Sequence, residues 1–126
     1  MEHTEQAAPV PNASRPVWEL VIEDADSALR PPKHEADAVA IKLRFLADMK
    51  ARDALGRARY GTPLQTNNGR DWLRDAYEEA LDLLVYIRQG QEQEPQSPEI
   101  ELTYDAAMDM AVTLCAMIVM RERSVQ

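Results

Sequence analysis

Four acidic side chains fall within eight residues, in a segment whose apolar residues recur at helical spacing. At about 100° per residue, the acids share one side of the predicted helix, and apolar side chains fill the opposite side. Two interpretations stay open on this pattern alone. The carboxylates are either the solvated face of an amphipathic helix or half of a metal site. The four residues are Asp75, Glu78, Glu79 and Asp82.

A second acidic pair lies one turn apart in the sequence YDAAMDMAVTLCAMIVM. This segment is apolar nearly all the way around, which is typical of a buried helix, where an unpaired carboxylate is costly. The dipole at a helix N-terminus accounts for Asp105 better than for Asp109. Carboxylates converging from two packed helices repel one another unless a cation neutralises them, and Mg²⁺ prefers such oxygen ligands. The competing interpretation pairs the acids with Arg70, Arg74 or Arg88.

Helical spacing and turn chemistry predict the elements that position these acids. Apolar residues at helical spacing predict a helix over residues 34–55, ended by Gly56. A loop rich in Gly, Pro and Asn follows. Asp71 is the predicted N-cap of a second helix, which extends to about residue 89.

The two ends of the chain complete the predicted architecture. Thr103 is the predicted cap of a third helix, which continues through the apolar segment. Residues 17–22 fit a short strand or a helical turn, and residues 1–16 have the composition of a loose tail. The predicted fold is all-α, an antiparallel helical bundle completed by oligomerisation. It comprises an N-terminal arm over residues 1–33 and a helical domain over residues 34–126.

Composition limits the classes of protein that fit. A chain of 126 residues is one domain, or less than one if oligomerisation completes its core, and 29% charged residues exclude a membrane protein. No apolar run approaches the length of about 18 residues that is needed to span a bilayer. The single Cys115 excludes an intramolecular disulfide framework, and we expect a cytoplasmic protein. The net charge of -8 argues against a general nucleic-acid binder.

The charge is nevertheless unevenly distributed. Between residues 50 and 74, six basic residues occur against two acids. A local positive region in an acidic chain suits a small anionic ligand better than a long polyanion. The alternative is a helix end and loop carrying solvated arginines. The six basic residues are Lys50, Arg52, Arg57, Arg59, Arg70 and Arg74.

The segment YEEALDLLVYI resembles the EExxE helix of the all-α nucleoside triphosphate pyrophosphohydrolases, the MazG-like group. The longer stretch ARDALGRARYGTPLQTNNGRDWLRDAYEEALDLLVYIRQ is similar to small phage-encoded proteins of this type, and the resemblance covers roughly residues 36–120. In that family, an ExxE pair and an ExxD pair lie on consecutive antiparallel helices and together bind Mg²⁺. Glu79 and Asp82 match the first pair, with Glu78 as an extra acid. Asp105 and Asp109 fall where the second pair would lie.

Two departures from the family pattern concern the metal ligands. Asp82 stands where the family has Glu, and the second pair is spaced DxxxD, with Ala106 where ExxD requires an acid. In a second registration, EEALD would itself be the ExxD helix, and its partner pair would come from the first helix. The acids of that helix lack the spacing, so we prefer the first registration. They are Glu35, Asp37, Asp48 and Asp53.

The resemblance implies a Mg²⁺- or Mn²⁺-dependent cleavage of a nucleoside triphosphate between its α- and β-phosphates, with Glu78 or Glu79 as general base. We expect a purine deoxynucleotide such as dGTP or dATP as substrate, in phage nucleotide-pool metabolism, and a homodimer or homotetramer. The implied metal ligands are Glu78, Glu79, Asp82, Asp105 and Asp109.

Substrate-binding candidates cluster before the acidic helix. Arginines and a lysine would meet the phosphates, an aromatic side chain would stack on the base, and amides would read its edge. We expect Trp72 at a core position rather than in base stacking, and the two asparagines at turn positions rather than in base reading. The candidates are Lys50, Arg57, Arg59 and Arg70 for phosphates, Tyr60 and Trp72 for stacking, and Gln65, Asn67 and Asn68 for the base.

The main alternative function is a non-enzymatic helical interaction or regulatory module, in which the acids form structural ion pairs. A DNA-binding helix-turn-helix is a weaker option. The overall acidity and the ten-residue loop between the first two helices, where such motifs use three or four residues, argue against it.

Overall fold

The computed structural model describes residues 6–29 and 36–125, and over these residues the protein forms four helices and no strand. The all-α prediction is therefore confirmed. The chain divides into two compact units, Met1–Arg70 and Asp71–Gln126. The predicted boundary at residues 33–34 lies outside the described residues. The helices are α1 (Val17–Ala28), α2 (Ala36–Tyr60), α3 (Trp72–Gln93) and α4 (Pro98–Ser124).

In the first unit, α1 packs against α2. The segment that fitted either a strand or a helical turn is a helix of 12 residues. Neither helix contains a buried residue, so charged groups supply part of the contact. Lys42 Nζ lies 3.1 Å from Asp26 Oδ1 and donates to the Asp26 carbonyl oxygen at 3.0 Å. The start of α2 predicted at residue 34 lies outside the described residues.

The prediction that Gly56 ends the first long helix is wrong, because α2 continues through it to Tyr60. A glycine inside a helix costs only about 1 kcal/mol relative to alanine, and the flanking helix-forming residues offset that cost. The helix ends at Tyr60, and the next residue, Gly61, has a left-handed φ of 69° and donates its N–H to the Arg57 carbonyl oxygen at 2.9 Å. This is the glycine-terminated C-cap that ends many helices.

The N-terminal arm is held against the loop that follows α2. The Gln65 side chain accepts from the Asn12 N–H at 3.0 Å and donates to the carbonyl oxygens of Asn12 and Ser14 at 2.6 and 2.7 Å. The Val10 N–H donates to the Asn68 carbonyl oxygen at 2.7 Å. Gln65 and Asn68 are each only 8% exposed. Over residues 10–14 the expected loose tail is therefore bound to the loop, while residues 1–5 of that prediction lie outside the described residues.

The second unit is an antiparallel hairpin of α3 and α4, joined by residues 94–97. Arg121 contacts Asp71 at one end of the hairpin, and Ile100 lies next to Gly90 at the other. Small residues at the centre let the two helices approach closely. The buried apolar residues are Leu73, Ala80, Ala107 and Ala111.

The structure confirms one predicted helix start in this hairpin and corrects the other. Asp71 caps α3, and its carboxylate accepts from the N–H groups of Leu73 and Arg74. Thr103 does not cap α4, because the helix already begins at Pro98 and Thr103 Oγ1 donates to the Glu99 carbonyl oxygen within it. Proline suits the first helical position because the missing N–H would have no intrahelical partner there.

The apolar helix α4 is far less covered than the sequence predicted. Ala107 and Ala111 are its only buried residues, and many of its large apolar side chains are exposed. Over the described part of the chain, α4 is also long and apolar enough to cross a membrane by length and composition, a test that a core helix of a soluble protein also passes. The expectation that no run reaches spanning length therefore does not hold. The exposed side chains include Leu102, Met110, Val112, Met117 and Met120.

Candidate functional site

The acidic residues of α3 lie on the side of the helix that faces away from α4. Glu79 and Asp82 are exposed, while Asp75 and Glu78 are half-buried. The buried residues Leu73 and Ala80 occupy the opposite side, against α4. The amphipathic pattern in the sequence therefore predicted the orientation of α3 correctly.

Asp105 and Asp109 face away from α3. Each lies two residues from Ala107, which is a rotation of about 200° around the helix. Because Ala107 is buried in the hairpin contact, both carboxylates lie on the outer side of α4, where both are exposed. Their exposure removes the argument that a buried carboxylate on this helix needs a cation.

The acids of α3 and those of α4 lie at the same height along the hairpin, but they are not in contact. The contacts of Asp71 with Arg121 and of Gly90 with Ile100 place Asp82 level with Asp109 along the hairpin. The two side chains nevertheless extend from opposite outer faces. Within the described ranges, no group of three or more His, Cys, Asp or Glu residues is positioned to hold a metal ion. One hairpin does not assemble the predicted five-carboxylate ligand set.

A smaller donor set on α3 alone does fit Mg²⁺. Asp82 follows Glu78 by four residues and Glu79 by three, and side chains at these spacings are neighbours on a helix surface. Mg²⁺ is commonly held by one or two carboxylates together with substrate phosphates and water. The exposed pair Glu79 and Asp82 matches this requirement without any ligand from α4.

Two of the three candidate phosphate-binding residues on α2, Arg57 and Arg59, contact neighbouring side chains. Arg57 Nε donates to Asp53 Oδ1 at 3.0 Å, and its Nη2 lies 4.0 Å from Glu19 Oε1. The Arg59 guanidinium lies over the Tyr60 ring, 5.2 Å from its centroid. Lys50 is exposed. All four basic or aromatic candidates of this helix lie in its last three turns.

The candidate base-reading residues in the loop hold the arm instead. The Gln65 amide is engaged with the arm backbone on both its oxygen and its nitrogen. Asn67 has a left-handed φ of 57°, and Asn68 Oδ1 accepts from the Arg70 N–H, so both are turn residues as the sequence also allowed. Arg70 Nη1 donates to the Ala7 carbonyl oxygen at 3.1 Å. A nucleotide would have to displace the arm to reach these groups.

Trp72 occupies the first position of α3 and is 62% exposed. The expectation that it is a core residue is wrong. A side chain at the first position of a helix is not yet surrounded by neighbouring turns, and Leu73 takes the core position next to it. The indole remains accessible for stacking.

An apolar groove along the α3–α4 hairpin was not predicted from the sequence. Its volume is about 450 Å³, and Tyr77 and Cys115 are the lining residues with a hydroxyl or thiol group. A side-chain hydrogen bond with Cys115 raises the pKa of the Tyr77 hydroxyl above its ordinary value. The apolar character of α4 was visible in the sequence, but its exposure depends on which neighbours the chain provides.

The chain matches no protein-family model, no curated protein and no solved structure.

Proposed function

We propose that this protein is a Mg²⁺-dependent nucleoside triphosphate pyrophosphohydrolase that converts a (d)NTP to (d)NMP and pyrophosphate. The observation that supports the proposal is the row of carboxylates on one face of α3, where Glu79 and Asp82 are exposed neighbours. Their match to the MazG-like motif supplies the reaction class. A purine deoxynucleotide such as dGTP is the proposed substrate, and the proposed setting is the cytoplasm.

The roles of the α3 carboxylates follow from their spacing and exposure. Glu79 and Asp82 would hold the cation together with the substrate phosphates. When bound, Mg²⁺ supplies charge neutralisation at the phosphates and lowers the pKa of a bound water. Glu78 lies one turn before Asp82 and is the candidate general base that accepts the proton of the attacking water. Asp105 and Asp109 would contribute only if α4 of another copy approached this face.

The experiment is a screen for pyrophosphate release from the eight common NTPs and dNTPs, with Mg²⁺ and with EDTA. The near-isosteric variants Glu79→Gln and Asp82→Asn should each lose at least about 100-fold in kcat/KM, because the cation loses a charged ligand. Glu94→Gln is the matched control, since Glu94 is exposed and lies just after the last residue of α3. It should retain the wild-type rate.

Thermal unfolding supplies a readout that does not depend on turnover. Mg²⁺ should raise Tm of the wild type and of Glu94→Gln by mass action, but not that of Asp82→Asn. In the absence of metal, both amide variants should be slightly more stable, by about 0.2–0.5 kcal/mol, because carboxylate repulsion is relieved. Full Mg²⁺-dependent hydrolysis by the amide variants would rule out this site.

A second candidate function is a non-enzymatic helical interaction module. The exposed apolar residues of α4 favour it, since contiguous apolar surface marks contact sites. In that case no nucleotide would release pyrophosphate, and Tm would be indifferent to Mg²⁺. Both functions are compatible with the proposed assembly of two or four copies.

A further inference from the structure

An open apolar groove runs along one edge of the α3–α4 hairpin. Tyr77 and Leu81 line it from α3, and Met108, Val112 and Val119 line it from α4. Val112 is 60% exposed, which is unusual for a side chain in the middle of an apolar helix. Filling the groove would remove this apolar surface from water, at about 25 cal/mol for each Å² covered.

Charged side chains lie in line with the groove at both ends of α4. Asp105 lies seven residues before Val112, while Glu101 and Arg123 lie eleven residues before and after it. At about 100° per residue, all three are within about 20° of Val112 around the helix. They are exposed, and none forms an ion pair with another residue in the described part of the chain. One face of α4 is therefore acidic at its start, apolar in its middle and basic at its end.

This charge pattern is complementary to itself when one copy is reversed. If two α4 helices cross antiparallel at Val112, Glu101 of each copy lies level with Arg123 of the other, because both are eleven residues from the crossing point. A parallel pair would set like charges side by side. The helix dipoles also favour the antiparallel arrangement.

We propose that the groove is filled by a second copy of this chain, in a two-fold dimer whose α4 helices cross antiparallel at Val112. The same surface serves both copies, as expected for a two-fold interface. This inference specifies the contact within the proposed assembly. It is tested without nucleotide or metal, so its failure is distinct from failure of the proposed hydrolase activity.

A lipid bilayer suits this face less well than a second copy does. Asp105 and Asp109 lie among the apolar side chains of α4. A carboxylate at the centre of a membrane helix costs at least about 2.5 kcal/mol. In the antiparallel dimer, Asp105 instead lies one turn from Arg123 of the second copy.

Cross-linking between single cysteines tests the polarity of the contact directly. The only native cysteine is Cys115, so each variant is made in a Cys115→Ser full-length chain. When the Glu101→Cys and Arg123→Cys variants are mixed and oxidised, a mixed dimer should form. Val112→Cys, at the crossing point, should cross-link to itself, whereas Glu94→Cys, the control outside the groove, should not.

Several outcomes would overturn the dimer. Cross-linking of Arg123→Cys to itself would indicate a parallel contact. Sedimentation equilibrium showing only a 14.3 kDa monomer at micromolar concentration would show that the chain covers the groove itself or leaves it open. Flotation of the wild type with phosphatidylcholine vesicles would identify a membrane as the occupant instead.

Charge reversal tests the end pairs independently of any disulfide. Arg123→Glu should raise the dimer Kd by about 2- to 30-fold, because two exposed ion pairs become repulsive. Adding Glu101→Arg in the same chain should restore the wild-type Kd. Arg44→Glu, which makes the same charge change at an exposed site on α2, is the control and should leave Kd unchanged. If Arg123→Glu, folded by circular dichroism, associates like the control, the proposed register is wrong.

Discussion

Gln65 illustrates why the type of a residue does not fix its partner. A primary amide offers a hydrogen-bond acceptor beside a donor, and this pair matches the edge of a nucleobase as well as a peptide backbone. In the structure, Gln65 uses both on the N-terminal arm and is almost fully buried. The sequence indicated an amide in a loop. It did not indicate that Asn12, which lies 53 positions earlier in the chain, would form hydrogen bonds with this amide.

We expect Gln65→Ala to release the arm. The substitution removes three hydrogen bonds to the backbone of Asn12 and Ser14, and loss of a buried partner costs about 1–3 kcal/mol. Hydrogen exchange should therefore accelerate at the Val10 and Asn12 amides. Thr66→Ala, at the exposed neighbouring position, is the control and should leave exchange at these amides unchanged. Unaltered protection in Gln65→Ala would mean that the remaining contacts suffice to hold the arm.

Asp71 combines two roles in the second unit. Its carboxylate caps α3 and accepts from Arg121 Nη1 at 2.9 Å. Asp71→Ala should destabilise the hairpin by about 1–2 kcal/mol, most of it from the lost cap. Asp71→Asn keeps a capping oxygen and should cost less than about 1 kcal/mol, because the ion pair is partly exposed. Urea unfolding measures the free energy of unfolding of both variants. If capping and the ion pair contribute separately, Arg121→Met should lose as much stability as Asp71→Asn.

The same ion pair makes stability depend on acid pH. The hydrogen bond from Arg121 lowers the pKa of the Asp71 carboxyl below its ordinary value. A group whose pKa is lowered by folding contributes stability that is present above its unfolded pKa and is lost as pH falls through its folded pKa. Between pH 7 and pH 2, the wild type should therefore lose more stability than Asp71→Asn. Parallel pH curves for the two proteins would contradict this assignment.

At the scale of the helix, local chemistry predicted some ends and missed others. The N-cap at Asp71 was predictable because capping requires only a side-chain oxygen at one position. Gly56 does not end α2, because its propensity cost is smaller than the gain from continuing a 25-residue helix. Thr103 follows a polar segment with two prolines, which is typical of a linker, yet α4 already begins at Pro98 in this segment. The sequence alone does not distinguish a proline that precedes a helix from one that occupies its first position.

The two glycines near the end of α2 should respond oppositely to alanine. A Cβ added at Gly56 meets nothing within 4 Å, so Gly56→Ala should stabilise the protein by about 0.5–1 kcal/mol through reduced freedom of the unfolded chain. Gly61 also has open space, but its φ of 69° is strained for any residue with a Cβ. Gly61→Ala should therefore destabilise by about 1–2 kcal/mol. Chemical unfolding of the two variants would separate conformational strain from steric contact, and equal shifts would contradict the explanation.

At the scale of the whole molecule, the position of an acid around its own helix was predictable and its position relative to another helix was not. Periodicity placed the α3 acids opposite the apolar residues of that helix, as observed. On α4 the apolar residues surround the helix, so their pattern does not predict which side of α4 packs against α3. The contact uses the small residues Ala107 and Ala111 rather than the large apolar ones. Close approach at these alanines turned Asp105 and Asp109 outward.

The large apolar side chains left exposed on α4 lead to a prediction about the intact chain. If a second copy covers them, folding and association are linked, and the apparent stability must depend on protein concentration. A tenfold increase in concentration stabilises a dimer by about 1.4 kcal/mol, or half that for each chain, which corresponds to a rise in Tm of about 2–4 °C. The Tm of Arg123→Glu should also depend on protein concentration, but over a higher concentration range, since only the charged ends of the contact are altered. A Tm that stays constant over a hundredfold range of wild-type concentration would mean that the apolar surface of α4 is not covered by another copy.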